Sequence, residues 1–223
     1  MAGVYLHVPF CRQACHYCDF HFSTNTQTVD AMVHAIASEA RLRAPHFLGS
    51  LNGPVTTLYL GGGTPSLLPP NAMKRLVHGV SNALQLDVST LAEVTLEANP
   101  EDLEDAQLDA WLEAGFNRLS VGIQSFDDKT LGWMNRAHTG REAEQGIHRA
   151  YAAGFDTMTV DLIYGVPTGR QWQDDVERAF ALPVRHLSAY ALTVEPQTAL
   201  GTRVERGEET PTPDERTVQE YHH

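Results

Sequence analysis

Short apolar runs and longer amphipathic segments alternate along almost the whole chain. Runs rich in β-branched and aromatic residues predict six strands, at 4–8, 55–60, 93–96, 118–123, 157–163 and 186–192. Apolar residues at helical spacing predict helices between them, at 29–43, 71–84, 103–114, 141–153 and 171–181. Each helical segment is long enough to connect two parallel strands. The strands are nearly continuous in apolar character, so the pattern predicts an α/β fold with a parallel sheet covered by helices.

Residues that start and stop helices support this division. Asp102 and Asp127 stand where helix N-caps are expected. An Ala-Gly-Phe stop occurs twice, and its glycines, Gly115 and Gly154, follow predicted helices. Six strands are fewer than the eight of a closed TIM barrel, so the sheet is predicted to be an open arc or a doubly wound sheet.

Composition narrows the class of protein. The chain has 223 residues and is 42% hydrophobic, enough for a substantial core. Its formal net charge is −12 and it has no basic run, which argues against a nucleic-acid surface and favours a small-molecule or protein partner. We find no basic, apolar leader and no run long enough for a membrane span, so the sequence predicts a cytoplasmic protein.

The composition changes towards the end of the chain. From about Val194 the sequence becomes polar and proline-rich, which is typical of a linker or flap. Residues 214–221 have the pattern of the start of another helix. We therefore expect a core domain at 1–196, followed by a polar linker and the start of a helix at 197–223.

The three cysteines of the chain, Cys11, Cys15 and Cys18, lie within eight residues of one another. This clustering indicates one metal centre and not a disulfide framework, and a reducing compartment suits thiols that must stay unpaired. A tetrahedral iron or zinc site needs four ligands, so one position remains for a group outside the motif. A zinc site with His7, His16 or His21 as the fourth ligand stays open on spacing alone.

Polar residues and glycines follow the predicted strands. Ligands of parallel α/β proteins bind at the carboxyl ends of the strands. The residues at these ends are the three cysteines, the Gly61-Gly62-Gly63-Thr64-Pro65 segment, Glu97, Asn99, Gln124, Asp161 and Thr193. A structural interpretation exists for each: a glycine run forms tight turns, and carboxylates such as Glu97 or Asp161 cap helices. Arg136 and Arg141 are equally compatible with solvated surface charges.

Longer motifs favour the functional interpretation. The segment Tyr5-Leu-His-Val-Pro-Phe-Cys11-Arg-Gln-Ala-Cys15-His-Tyr-Cys18-Asp-Phe20 resembles the signature of radical S-adenosylmethionine (SAM) proteins, specifically the oxygen-independent coproporphyrinogen III oxidase-like family. Its last three residues are similar to the HemW-type haem-chaperone branch. Further matches begin at Leu60, Leu96, Leu119, Asn135, Val160 and Leu187, in family order.

The resemblance implies a three-quarter (βα)6 barrel of TIM type. It also implies a 4Fe-4S cluster on Cys11, Cys15 and Cys18, with SAM on the fourth iron, where reductive cleavage yields a 5′-deoxyadenosyl radical. Gly62, Gly63 and Thr64 match positions that approach SAM through the backbone, and Glu97 matches one that hydrogen-bonds it. The other matches to SAM-binding or cluster-flanking positions are Gln124, Arg136, Asp161, Tyr5 and Tyr17.

Two departures from the family pattern bear on function. Oxidases of the family carry another cysteine two places after the third, where this chain has Phe20, which favours the haem-chaperone branch over a porphyrin-decarboxylating enzyme. The family also continues into a C-terminal domain that is absent from this sequence. The resemblance implies haem or a porphyrin as ligand, an electron donor such as a flavodoxin or ferredoxin, and haem-accepting proteins as partners.

Overall fold

A computed structural model describes residues 2–222 of the chain. Within this range, six strands form one sheet in which every neighbouring pair is parallel. The strands are β1 (Ala2–Val8), β2 (Val55–Gly62), β3 (Glu93–Ala98), β4 (Arg118–Gln124), β5 (Met158–Tyr164) and β6 (His186–Ala191). All six predicted strands are therefore confirmed, with small shifts at their ends.

Helices connect successive strands across the described residues. They are α1 (Val29–Ser50), α2 (Pro70–Leu84), α3 (Asp105–Glu113), α4 (Asp128–Trp133), α5 (Gly140–Ala153), α6 (Trp172–Phe180), α7 (Ala199–Glu205) and α8 (Asp214–Tyr221). The five predicted crossover helices and the helix at 214–221 are present. The helices α4 and α7 were not predicted, and α7 lies in the segment predicted to be a linker.

The order of the strands distinguishes the two predicted sheets. Spatial order follows chain order from β1 to β6, and each strand pairs with the one before it. A doubly wound sheet reverses its order at a switch point, so that alternative is wrong. The strands β1 and β6 are the two edges of the sheet. The architecture is the expected partial barrel, open between these edges.

The helix-facing side of the sheet carries the hydrophobic core. Leu58, Leu60, Leu96, Leu119 and Val121 have no exposed surface and pack with the buried faces of the surrounding helices. The sheet register places Leu60 beside Leu96, and Leu96 beside Leu119. Each such side chain contributes about 1.5–3 kcal/mol of stability on full burial.

The opposite face of the sheet is polar. Tyr59, Thr95, Glu97, Ser120 and Asp161 alternate along the strands with the core residues. The expectation of nearly continuous apolar strands is therefore only half right. A closed barrel fills this inner space with bulky apolar side chains, whereas here the inner face is available for polar chemistry.

Of the four residues predicted to start or stop helices, three are confirmed and one is wrong. Asp127 caps α4 as predicted, because its side chain accepts a hydrogen bond from the amide of Thr130. Gly115 and Gly154 follow α3 and α5 with φ of +95° and +120°, conformations that favour glycine. The prediction for Asp102 was wrong: it lies in a 3-10 turn, and its carboxylate accepts from Ser66 and Arg12.

The longest helix also differs from its prediction. The helix α1 continues through Pro45 and ends at Ser50, beyond the expected end at residue 43. None of the helices within residues 2–222 combines the length and the apolar character that a membrane span requires.

Candidate metal and cofactor site

A cavity of about 520 Å³ opens at the carboxyl ends of the strands. Five strands, β2 to β6, contribute residues to its wall, and the loop after β1 closes one side. The polar inner face of the sheet forms its floor, through residues such as Glu97, Ser120 and Asp161. Its volume lies in the range of about 300–1,000 Å³ that is usual for small-molecule sites.

The structure brings eleven of the twelve predicted site residues to this cavity. They are Cys11, Cys15, Cys18, Tyr17, Gly62, Gly63, Thr64, Glu97, Gln124, Arg136 and Asp161. Tyr5 is the exception. Its side chain is 56% exposed, packs against Tyr59 with ring centroids 5.8 Å apart, and its hydroxyl lies 3.2 Å from His7 Nδ1.

The three cysteines are half-buried free thiols in the loop after β1. Backbone hydrogen bonds hold the loop: Cys11 donates to the Ser23 carbonyl at 3.0 Å, and Cys18 donates to the Cys15 carbonyl at 3.2 Å. Burial raises the pKa of Cys11 and of Cys18. A bound cation would reverse this effect, because it stabilises the thiolate form.

The side chains of Thr64 and Arg136 donate hydrogen bonds to cysteine sulfurs. Thr64 Oγ1 lies 3.6 Å from Cys11 Sγ, and Arg136 Nη1 lies 3.5 Å from Cys15 Sγ. Thr64 follows the glycine run at the end of β2, and Arg136 follows α4. Such outer hydrogen bonds orient metal ligands and adjust their basicity.

The glycine run packs directly against the cysteine loop. A Cβ on Gly63 would lie 2.7 Å from the Phe10 carbonyl oxygen and 2.9 Å from Cys11 Sγ, so only glycine fits without displacement. The amides of Gly62, Gly63 and Thr64 already donate to Glu97, Val8 and Phe10. The run therefore lets the cysteine loop approach closely, while its amides are used within the protein.

The two inner carboxylates lie inside strands, so neither caps a helix. Glu97 accepts from Tyr59 Oη at 2.8 Å and from the Gly62 amide at 2.9 Å. Asp161 accepts from Ser120 Oγ at 3.5 Å. Burial raises the pKa of both carboxyl groups, and these hydrogen bonds offset only part of that effect.

Arg136 is a built-in part of the site, whereas Arg141 is an exposed surface charge. Arg136 Nη2 donates to Asn99 Oδ1 at 2.8 Å and to the Gly122 carbonyl at 2.6 Å. Its Nε is buried and has no hydrogen-bond partner among the described residues. A buried guanidinium nitrogen without a partner is costly. Arg136 also lines the cavity, so its charge lies where an anionic ligand would be stabilised.

Two further predicted residues complete the wall. Gln124 ends β4 with φ of +71°, an uncommon conformation for a residue other than glycine. Burial raises the pKa of Tyr17, which keeps its hydroxyl protonated as a hydrogen-bond donor.

Three polar features of the site were missed from sequence. Tyr59 binds Glu97, Ser120 approaches Asp161, and the buried His138 lies with Nδ1 3.3 Å from Glu101 Oε2. The signal for Tyr59 and Ser120 was their alternation with core residues. His138 belongs to a quoted motif, but its burial is set by tertiary packing.

The histidines proposed as zinc ligands do not line the cavity. His16 Nδ1 lies 2.7 Å from the Trp133 carbonyl oxygen, and His7 contacts Tyr5. His21 is exposed. Within residues 2–222, no group of three or more His, Cys, Asp or Glu side chains is placed to hold a single metal ion.

The donor set fits a larger iron-sulfur group beside a small ligand. Three thiols share the cavity wall, Gly63 lets the cysteine loop pack closely on the glycine run, and Arg136 places a positive charge in the same wall. Fold and site together define a parallel partial-barrel protein with a thiol-lined cofactor cavity at its mouth. The chain belongs to the radical SAM superfamily, whose sequence model matches residues 5–179.

Similar proteins place the chain more closely within the superfamily. It is 33% identical to the "Heme chaperone HemW" of Bacillus subtilis over 99% of this chain and 58% of that protein. It is 41% identical to the one of Mycobacterium tuberculosis over 92% of this chain and 53% of that protein. The chain thus spans about half the length of these curated relatives.

Solved structures share the fold of this chain. "Coproporphyrinogen III oxidase (HemN) from Escherichia coli" superposes with a TM-score of 0.85 at 26% identity, covering 99% of this chain and 51% of that one. The archaeal Elp3 of Methanocaldococcus infernus, at 16% identity and a TM-score of 0.69, shares the fold. The predicted resemblance to the coproporphyrinogen oxidase-like family and its HemW-type branch is confirmed.

Proposed function

We propose that this chain is a radical SAM core that holds a 4Fe-4S cluster through Cys11, Cys15 and Cys18 and binds SAM in the adjoining cavity. Membership of the superfamily implies both cofactors. The observation that carries the assignment to residues is that all three thiols and eight of the nine predicted SAM residues line one cavity. Tyr5 stays a prediction, at a position outside that wall.

The residues around the cavity suit a ligand of mixed charge. Arg136, which lines the cavity, would attract the carboxylate of SAM, while Glu97 and Asp161 place negative charge near the sulfonium and ribose. Gln124 supplies an amide for hydrogen bonding, and Gly62 and Gly63 line the cavity without side chains. When bound, the cluster supplies the electron that cleaves the sulfonium bond. The protein orients the ligand and excludes water.

We further propose a role in haem or porphyrin metabolism in the cytoplasm, as a haem chaperone that passes haem to acceptor proteins. The support is the similarity to proteins named heme chaperone HemW. Phe20 adds to it, because this side chain stands where an oxidase of the family would carry a cysteine. Phe20 is 68% exposed at the cavity rim, where a planar apolar ligand could pack on it. A flavodoxin or ferredoxin would supply electrons.

The second candidate function is oxygen-independent oxidation of coproporphyrinogen III, a decarboxylation of its propionates. The fold shared with the Escherichia coli oxidase favours it. A zinc-stabilised binding module is the third, and the positions of His7, His16 and His21 outside the cavity weigh against it.

One reconstitution series separates these functions. The chain is purified anaerobically, loaded with iron and sulfide, and assayed for metal content, SAM cleavage under reductant, haem binding and protoporphyrinogen formation. We expect about four irons per chain, SAM cleavage, haem binding and no porphyrin product. Retention of one zinc with no cluster would reject the proposal. Formation of protoporphyrinogen would replace the chaperone by the oxidase.

A further inference from the structure

The cysteine loop, residues 11–18, is held from one side by the segment that follows α4. Gln13 Nε2 donates to the Asn135 carbonyl at 2.7 Å, and Asn135 Nδ2 returns a hydrogen bond to the Ala14 carbonyl at 2.7 Å. The amide of His16 donates to the Met134 carbonyl at 3.1 Å. These contacts fix the backbone between Cys11 and Cys18 against the barrel.

The helix α7 holds the same loop from the other side. The amide of Leu200 donates to the His16 carbonyl at 2.7 Å, and the Leu200 side chain is buried. The guanidinium of Arg203, one turn further on, lies along the His16 ring, with Nη1 3.3 Å from Nδ1 and Nη2 3.4 Å from Nε2. The segment predicted to be a linker therefore contacts His16, in the middle of the cysteine motif.

The geometry of His16 defines the contact with Arg203. Its Nδ1 lies 2.7 Å from the Trp133 carbonyl oxygen, which can only accept, so Nδ1 carries the proton. That nitrogen cannot also accept from Arg203. The other ring nitrogen, Nε2, is then unprotonated and accepts the hydrogen bond from Arg203 Nη2 at 3.4 Å.

A second set of hydrogen bonds links Arg203 to Trp133 through Glu209. The Arg203 carbonyl accepts from the amides of Glu208 and Glu209 at 2.9 and 3.3 Å. Glu209 Oε2 then accepts from Trp133 Nε1 at 2.8 Å. The contacts run from Arg203 to His16, to Trp133, to Glu209 and back to Arg203, so each element restrains the next.

We propose that α7 and this ring of four residues form a clamp that positions the cysteine loop for its cluster, with Arg203 as the positioning residue. The inference rests on the proposed cluster. A loop ordered before loading loses little conformational entropy when the cluster binds, since the clamp already restricts its backbone. Loss of the clamp would loosen the loop and speed release of iron.

The test compares Arg203→Ala with Arg206→Ala in the full chain. Arg206 follows the same helix, and its side chain is exposed. Both variants are reconstituted anaerobically, and iron release to a chelator is timed. We expect release at least threefold faster for Arg203→Ala and unchanged for Arg206→Ala. The EPR spectrum of the reduced cluster should change only in Arg203→Ala, because a merely less stable fold would leave its g values intact.

Two further variants and one measurement without metal complete the test. Trp133→Phe, which keeps the ring packing and removes the bond to Glu209, should also release iron faster, while Arg203→Lys should fall between Ala and wild type. In metal-free protein, hydrogen exchange of the His16 and Cys18 amides should be faster in Arg203→Ala. Equal exchange and equal release in Arg203→Ala and Arg206→Ala would overturn the clamp. Failure of the wild type to form a cluster, with the exchange difference present, would reject the cluster and keep the contact.

Discussion

Arg136 donates a hydrogen bond from Nη1 to Cys15 Sγ at 3.5 Å, and its other terminal nitrogen is anchored on Asn99 and the Gly122 carbonyl. The donor is therefore held in place before any cofactor binds. Hydrogen bonds to the sulfur ligands and nearby charge help to set the reduction potential of iron-sulfur clusters. A positive charge beside Cys15 favours the reduced, more negative form.

Replacing Arg136 by Gln should lower the midpoint potential of the cluster. The variant loses a positive charge and a charged donor to Cys15, so the reduced state is destabilised. We expect the reduction equilibrium to shift about tenfold, which corresponds to roughly 59 mV for a one-electron couple. An EPR-monitored redox titration without SAM measures it. Arg141→Gln, on the exposed face of α5, is the control, and equal potentials in the two variants would contradict the prediction.

Replacing Cys15 by Ala should abolish cluster binding and leave the fold intact. Two thiols cannot hold the cluster against solvent, and the core of the barrel lies on the other face of the sheet. Iron analysis after reconstitution and far-UV circular dichroism measure the two outcomes. Iron content equal to that of the wild type would show that Cys15 is no ligand.

Replacing Glu97 by Gln should weaken SAM binding at unchanged iron content. A hydrogen bond that involves a charged group contributes about 1.5–3 kcal/mol, so we expect a loss of tenfold or more in affinity. Calorimetry on the reconstituted protein measures it. Glu93→Gln is the matched control, because Glu93 lies on the same strand outside the cavity. The role assigned to Glu97 fails if both variants bind SAM like the wild type.

The raised pKa of Asp161 predicts a pH dependence of stability. Burial raises this pKa above its ordinary value, so the folded state keeps the proton to a higher pH than the unfolded chain does. Stability is then lost as pH rises through the folded pKa. Asp161→Asn removes this loss. The free energy of unfolding of the metal-free variant, relative to that of the wild type, should therefore increase between about pH 4 and pH 7. Urea unfolding at both pH values tests this, and a constant difference would refute it.

Replacing Gly63 by Ala should damage the cysteine loop. The new Cβ would lie 2.7 Å from the Phe10 carbonyl and 2.9 Å from Cys11 Sγ, which forces the backbone apart. Overpacking of this kind costs about 1–3 kcal/mol. We expect a several-fold lower retention of iron, measured after desalting. Gly49→Ala is the control, since nothing lies within 4 Å of its added Cβ; equal retention in both would contradict the clash.

The sheet could be predicted from sequence because strand and helix periods repeat over long segments. The helices α4 and α7 could not, since six and seven residues show too little of the helical period. Asp102 was mistaken for a cap because a buried pairing with Ser66 and Arg12 looks the same in sequence as a capping position. The role of Asp102 is set by its tertiary contacts, which the local sequence does not show.

The candidate site was predictable where topology alone brings residues together. Carboxyl ends of parallel strands meet at one edge, which placed Glu97, Gln124 and Asp161 at the cavity. The partners of these residues depend on packing between distant segments. Neither the bond from Arg136 to Cys15 nor the contact of Arg203 with His16 has a local sequence signal, and the latter joins residues 187 positions apart.

The two faces of the sheet divide stability and ligand contact between alternate residues of the same strands. Side chains such as Leu96 and Leu119 carry stability on the outer face, while their neighbours Glu97 and Ser120 face the cavity and contribute little to the core. A substitution on the inner face can therefore alter the accepted ligand without unfolding the protein. One scaffold of this kind can diversify its chemistry through changes at the cavity-lining positions of five short strands.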